Sequence, residues 1–103
     1  MAIARLGETV RLHNVPVTPV RVLEDSRCPE RVSCVWAGRL RLTVRIGRAM
    51  RDLTLGEPVP VVGGTLQLAT AVPRPKTNGT IAPSDYRFGF RFDGRAATVL
   101  IKE

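Results

Sequence analysis

The sequence has few aromatic residues, only two cysteines and no long hydrophobic run. Aromatic residues make up 5% of the chain and hydrophobic residues 44%, which indicates a folded, aliphatic core and not a disordered chain. No apolar run approaches the roughly 18 residues of a membrane-spanning helix. Two cysteines and a single histidine, His13, do not supply the paired ligand spacing of a zinc finger or ribbon. The sequence therefore predicts no membrane span and no metal.

Catalytic motifs are equally scarce. Among the acidic residues only Glu24 and Asp25 are adjacent, and neighbours on a strand point to opposite faces. The sequence contains no G-x-S-x-G elbow, no H-E-x-x-H motif and no P-loop. We therefore predict no enzyme activity, no catalytic residues and no cofactor.

The charge is strongly one-sided, with a net charge of +7 and a pI of about 11.0. Fourteen of the sixteen basic residues are arginine, and they are scattered along the chain without a block of like charge. An arginine excess of this kind is also typical of proteins from GC-rich genomes. The charge nevertheless supports one functional hypothesis, a binder of nucleic acid or acidic polysaccharide. Its candidate anion-binding residues are Arg39, Arg41, Arg45, Arg48 and Arg51.

Residues 25–38 form the stretch around which the chain is organised. They hold both cysteines, the only tryptophan and Pro29, whose ring favours a bent, non-helical backbone. That geometry can bring the thiols of Cys28 and Cys34 together as a disulfide. Two free thiols, a metal site and a redox pair remain as alternatives. The residues expected to hold the loop in shape are Asp25, Ser26, Arg27, Pro29, Trp36 and Gly38, with Arg27 pairing with Asp25 or Glu30.

A period of two follows Cys34. Apolar residues occupy the even positions and arginines several of the odd positions, which predicts a half-buried strand over residues 35–46. This pattern predicts that Trp36 faces the core. Gly38 then leaves room for the indole or marks a bulge.

Similar patterns predict further strands throughout the chain. Pro16 and Pro19 are expected to bracket a turn or an edge segment, and in the last hairpin the aromatic residues alternate with arginine, so their rings are expected to face the core. The predicted strands are residues 8–12, 20–24, 50–55, 65–72, 86–92 and 95–101, and residues 59–62 are expected to form at most a short edge segment between two turns. The chain of 103 residues is therefore predicted to be one β domain, 1–103, folded as an antiparallel two-layer sandwich, with a small β-barrel as the alternative.

Two segments resemble a known family. Asp-Ser-Arg-Cys-Pro at 25–29 and Cys-Val-Trp-Ala-Gly at 34–38 resemble the signature of small bacterial β-domains of unknown function, which usually follow a secretion or lipoprotein signal. Residues 72–75 and 83–87 are similar to that family's closing segment. The resemblance implies an extracytoplasmic β-domain with a bridge between Cys28 and Cys34, and it offers no catalytic residues.

Localisation and partners follow from the same observations. The first residues lack the apolar region of a signal peptide, so the expected location is periplasmic or secreted if a signal was trimmed, and cytoplasmic otherwise. The leading hypothesis is a non-catalytic extracytoplasmic structural or interaction domain. The sequence does not identify its partner, and another protein at the cell envelope is one candidate. The anionic-polymer binder is the alternative, and a thiol metal or redox site is the third hypothesis.

Overall fold

A computed structural model of the protein describes residues 1–76 and 79–94. These residues form eight strands and one 3₁₀ turn, Pro83–Asp85. The strands are β1 (Ala2–Ala4), β2 (Val10–Leu12), β3 (Val15–Asp25), β4 (Leu40–Ile46), β5 (Ala49–Thr54), β6 (Val59–Val61), β7 (Gly64–Val72) and β8 (Arg87–Asp93).

The strands form two antiparallel sheets that pack face to face. One sheet has the order β1-β8-β7-β6 and the other the order β2-β3-β4-β5. The predicted sandwich is confirmed, and the sheets do not close into a barrel. Burial of alternate apolar side chains from both sheets drives this packing. The side chains that meet between the sheets include Val17, Leu40, Leu42, Val44, Leu53, Leu66, Leu68, Phe88 and Phe90, all fully buried.

The aromatic alternation on β8 was interpreted correctly. Phe88 and Phe90 are fully buried and Tyr86, just before the strand, is 6% exposed. Phe92 is half-buried and packs on the rim of the core. These rings therefore stabilise the sandwich and do not form a base-stacking surface. The predicted strand 95–101 lies outside the described residues.

The start of the central strand was predicted wrongly. β4 begins at Leu40, not at residue 35, and Trp36 is 80% exposed instead of facing the core. Residues 34–38 are all apolar, and they lie in a loop whose backbone turns at Gly38, with φ of 71°. The alternation that begins at Arg39 therefore did not extend to these residues, and the strand was predicted to begin too early.

The prediction for Pro16 and Pro19 was also wrong, because both lie within β3, between β2 and β4. The carbonyl of Pro19 accepts a hydrogen bond from the Gly7 amide at 2.7 Å. The ring nitrogen of Pro19 faces the same side, beyond the end of β2, so no ladder hydrogen bond is lost. β3 therefore continues through both prolines and ends at Asp25, at the edge of the sandwich.

The turn between β2 and β3 was not predicted. His13 and Asn14 both have positive φ, at 51° and 68°, as a two-residue type I′ hairpin requires. No helix among residues 1–76 and 79–94 has the length and apolar character needed to cross a membrane.

Candidate interaction site on the central loop

The loop between β3 and β4 is closed at its base by backbone hydrogen bonds. The amide of Ser26 donates to the carbonyl of Arg39 at 2.8 Å, and the amide of Cys28 donates to the carbonyl of Ala37 at 3.0 Å. The hydroxyl of Ser26 accepts a hydrogen bond from the Arg39 amide at 3.0 Å. The two limbs of the loop therefore run side by side, as in a short hairpin.

Gly38 makes this close approach of the two limbs feasible. A Cβ at this position would collide with the carbonyl of Ser26, and the positive φ is itself unfavourable for other residues. Gly38 thus serves the loop through backbone contact. The sequence had suggested that Gly38 leaves room for the indole or marks a bulge, and the structure shows neither role.

A disulfide closes the loop on the side away from its hydrogen-bonded base. Cys28 and Cys34 are bridged, with their Cα atoms 5.9 Å apart. In this form neither sulfur is available as a thiolate ligand or nucleophile. Pro29 lies half-buried within the ring, and Arg31 adopts a positive φ of 63°. The bridge therefore constrains a short, tightly turned segment.

Three side chains fasten the base of the loop to the other sheet. Asp25 and Arg27 form a two-pronged ion pair, in which Nε and Nη2 of Arg27 each lie 2.8 Å from a carboxylate oxygen of Asp25. The hydroxyl of Tyr86 donates to Oδ2 of Asp25 at 2.8 Å. We call Asp25, Arg27 and Tyr86 the clamp. Its two charged side chains are each only 11% exposed.

Arg27 also bonds directly to the backbone of the opposite sheet. Its Nη1 donates to the carbonyl of Ala71 at 2.7 Å, and its Nη2 donates to the carbonyl of Pro73 at 2.9 Å. The fork geometry of the guanidinium allows one side chain to serve a carboxylate and two carbonyls at once. The clamp therefore links the end of β3 to the end of β7 and to the start of β8.

The electrostatics of the clamp agree with its geometry. Burial would raise the pKa of Asp25, but the hydrogen bonds from Arg27 and Tyr86 and the charge of Arg27 outweigh it and lower that pKa. The hydrogen bond to Asp25 raises the pKa of Arg27. Burial, followed by the hydrogen bond to Asp25, raises the pKa of Tyr86 to about 12. All three groups thus keep their bonded protonation states around neutral pH.

Two more contacts dock the loop on the segment after β7. The amide of Glu30 donates to the carbonyl of Pro75 at 2.9 Å. Nη2 of Arg74 donates to the carbonyl of Cys28 at 3.3 Å. The loop is therefore held on one side by its own limbs and on the other by residues 71–75.

The outer part of this braced loop is apolar and open to solvent. We call residues 32–36 the tip. Val35 is 97% exposed, Trp36 is 80% exposed and Val32 is 41% exposed. The structure thus places Trp36, expected in the core, at the surface of the tip, where it is largely open to water.

The candidate arginines do not form one surface. Arg41 and Arg45 lie on the outer face of β4, but Arg41 is 3.7 Å from the carboxylate of Asp52. Arg39 precedes the strand and pairs with Glu24 at 3.0 Å, a hydrogen bond that lowers the pKa of the Glu24 carboxyl.

The other two arginines lie elsewhere. Arg51 pairs in register with the buried Val44, so it belongs to the inner face, and it bonds to the carbonyl of Pro60. Arg48 lies exposed in the turn between β4 and β5. The predicted stripe is therefore reduced to Arg45 and to Arg41, which has acidic residues as neighbours on both adjacent strands.

Sequence reasoning identified Asp25, Arg27 and the cysteines but missed Tyr86 and the carbonyls of Ala71 and Pro73 as their partners. Asp25 and Tyr86 are separated by 61 positions, and no local pattern joins them. Within the described parts of the chain, no three His, Cys, Asp or Glu side chains group as metal ligands would.

Comparison of the chain with protein-family models, with curated proteins and with solved structures found no significant match.

Proposed function

We propose that this protein is a non-catalytic extracytoplasmic interaction domain whose contact element is the tip of the disulfide-closed loop. The observation that carries the proposal is the exposure of Val35 and Trp36 at the end of a braced loop. Water-exposed tryptophan leaves a large apolar area unburied, and tryptophan is enriched among residues that dominate binding energy.

The bracing of the loop supports the same proposal. The clamp, the limb hydrogen bonds and the disulfide hold the tip on both sides. A contact element that is already ordered loses little conformational entropy when it binds. A loop needed only to connect β3 and β4 would require neither the exposed apolar residues nor so many restraints.

The extracytoplasmic part of the proposal is supported by the bridge between Cys28 and Cys34, because structural disulfides persist mainly in oxidising compartments. The resemblance of residues 25–38 to small secreted β-domains points the same way. Alkylation of free thiols in intact cells tests the extracytoplasmic location. No alkylation of Cys28 and Cys34 before reduction is expected, and two free thiols in cells would contradict it.

Site-specific crosslinking tests the contact element. A photo-crosslinking amino acid in place of Val35 is compared in intact cells with the same residue in place of Val62, which is 92% exposed in the turn between β6 and β7. We expect crosslinks to protein or lipid from position 35, and far fewer from position 62. Equal yields at both positions would show that the tip is not a contact element.

A further inference from the structure

The tip has an unusual shape for a protein-binding surface. Val35 and Trp36 are consecutive, and both are almost fully exposed, at 97% and 80%. Both residues lie in a bend of the loop and no neighbour shields them, so water surrounds this part of the loop on more than one side. A flat partner surface would cover only one of those sides, whereas a lipid layer surrounds whatever enters it.

The charge around the tip is complementary to an anionic surface. Arg31, Arg74 and Lys76 are exposed beside the loop and outnumber the two exposed acids near them, Glu30 and Asp85. Arg74 is held against the loop by its hydrogen bond to Cys28. Basic side chains next to an apolar projection are attracted to anionic headgroups.

The chemistry of the tip also limits the depth of insertion. Backbone polar groups without partners cannot enter the hydrocarbon core, which restricts an irregular loop to the interfacial region. Tryptophan is enriched at that depth, because its ring is apolar and its N–H finds hydrogen-bond acceptors there.

We propose that the tip, residues 32–36, inserts into the interfacial region of an anionic lipid bilayer, with Trp36 as the anchor and Arg31, Arg74 and Lys76 on the headgroups. This inference rests on the proposed function and specifies the partner of the same loop. Because the base of the loop is rigid, the sandwich then has a fixed position relative to the membrane.

The single tryptophan makes the test direct, because fluorescence reports on Trp36 alone. Protein with the disulfide intact is mixed with vesicles of phosphatidylcholine, with or without phosphatidylglycerol. We expect the emission to shift to shorter wavelength with the anionic vesicles, and brominated lipid to quench it. The shift is expected to weaken with zwitterionic vesicles and with added salt.

Matched variants separate insertion from simple charge attraction. Trp36→Ser is expected to lower co-sedimentation with anionic vesicles by about tenfold, because burial of a large apolar side chain contributes at least that factor. Val35→Ser is expected to weaken binding as well. Val62→Ser removes an equally exposed valine at the other end of the sandwich and should leave binding unchanged.

The outcomes distinguish this inference from the proposed function. Vesicle binding that is unaffected by Trp36→Ser would overturn insertion. Absence of vesicle binding together with crosslinks from position 35 to a protein would overturn the lipid partner and keep the interaction domain. Absence of both vesicle binding and crosslinks would overturn both.

Discussion

The hydroxyl of Tyr86 lies 2.8 Å from Oδ2 of Asp25, a residue 61 positions earlier in the chain. This hydrogen bond connects the last residue of β3 with the residue that precedes β8, and these strands belong to different sheets. Because Asp25 is also the partner of Arg27, the bond orients the ion pair at the base of the loop. The exposed tip is therefore fixed relative to both layers of the sandwich.

Removal of this hydroxyl is the first test of the clamp. Tyr86→Phe keeps the ring that stacks on Phe88 at 5.3 Å but loses the hydrogen bond to a charged group. We expect the free energy of unfolding to fall by about 2 kcal/mol. Denaturant titration measures this loss. An unchanged unfolding midpoint for Tyr86→Phe would contradict the clamp.

The pKa of Tyr86 gives a prediction at alkaline pH. Because Tyr86 is the only tyrosine, tyrosinate absorbance reports on it alone. We expect titration near pH 12 in the folded protein and near 10.0 in the unfolded protein. A folded pKa above the unfolded pKa means that this contribution to stability is complete below pH 10.0 and is lost as the pH rises toward 12.

Asp25→Asn provides the control for that titration. The substitution removes the carboxylate charge and leaves a neutral amide oxygen as the acceptor, so the pKa of Tyr86 falls and the transition should move to lower pH in the folded variant. A wild-type transition already near the unfolded value would show that the phenol is not bonded to Asp25.

Gly38 offers a test of the hairpin-like base. Gly38→Ala forces a Cβ into the carbonyl of Ser26 and places alanine at a φ of 71°. Gly47→Ala is the matched control, because Gly47 also has a positive φ, 61°, but a Cβ there meets nothing within 4 Å. We expect the control to lose about 1 kcal/mol of stability and Gly38→Ala to lose distinctly more. Equal losses would contradict the close approach of the limbs.

The sequence predicted the buried faces well and the loop poorly, for a physical reason. Leu40, Leu42 and Val44 are buried because side chains on a strand alternate between two faces, and this rule needs only local information. Residues 34–38 are all apolar and give no such pattern, so the prediction extended the parity of β4 beyond the point where the strand begins. Hydrogen bonds between the loop limbs and the collision that excludes a side chain at Gly38 decide the conformation of these residues.

Within the site, only the contacts between residues close in sequence were predictable. Asp25 and Arg27 are two positions apart, so their pairing could be expected from the sequence. Their contacts with Tyr86 and with the carbonyl of Ala71 depend on how the two sheets pack. The separation of Arg51 from Arg41 was predictable from the sequence, because Arg51 shares the parity of the buried Leu53 and lies opposite the inward-facing Val44.

The disulfide provides the last prediction, which concerns the tip more than the fold. In the chain-entropy account, closing so short a ring stabilises the protein by roughly 2 kcal/mol. The clamp and the limb hydrogen bonds restrain the same residues in the reduced protein, so we expect a smaller loss of stability for the double variant Cys28→Ser and Cys34→Ser. We expect a larger change in the motion of Trp36, which lies two residues beyond the bridge. Steady-state anisotropy of its fluorescence should fall in the double variant while the unfolding midpoint changes little. Unchanged anisotropy would show that the limbs alone hold the tip, and a complete loss of folding would show that the sandwich itself depends on the bridge.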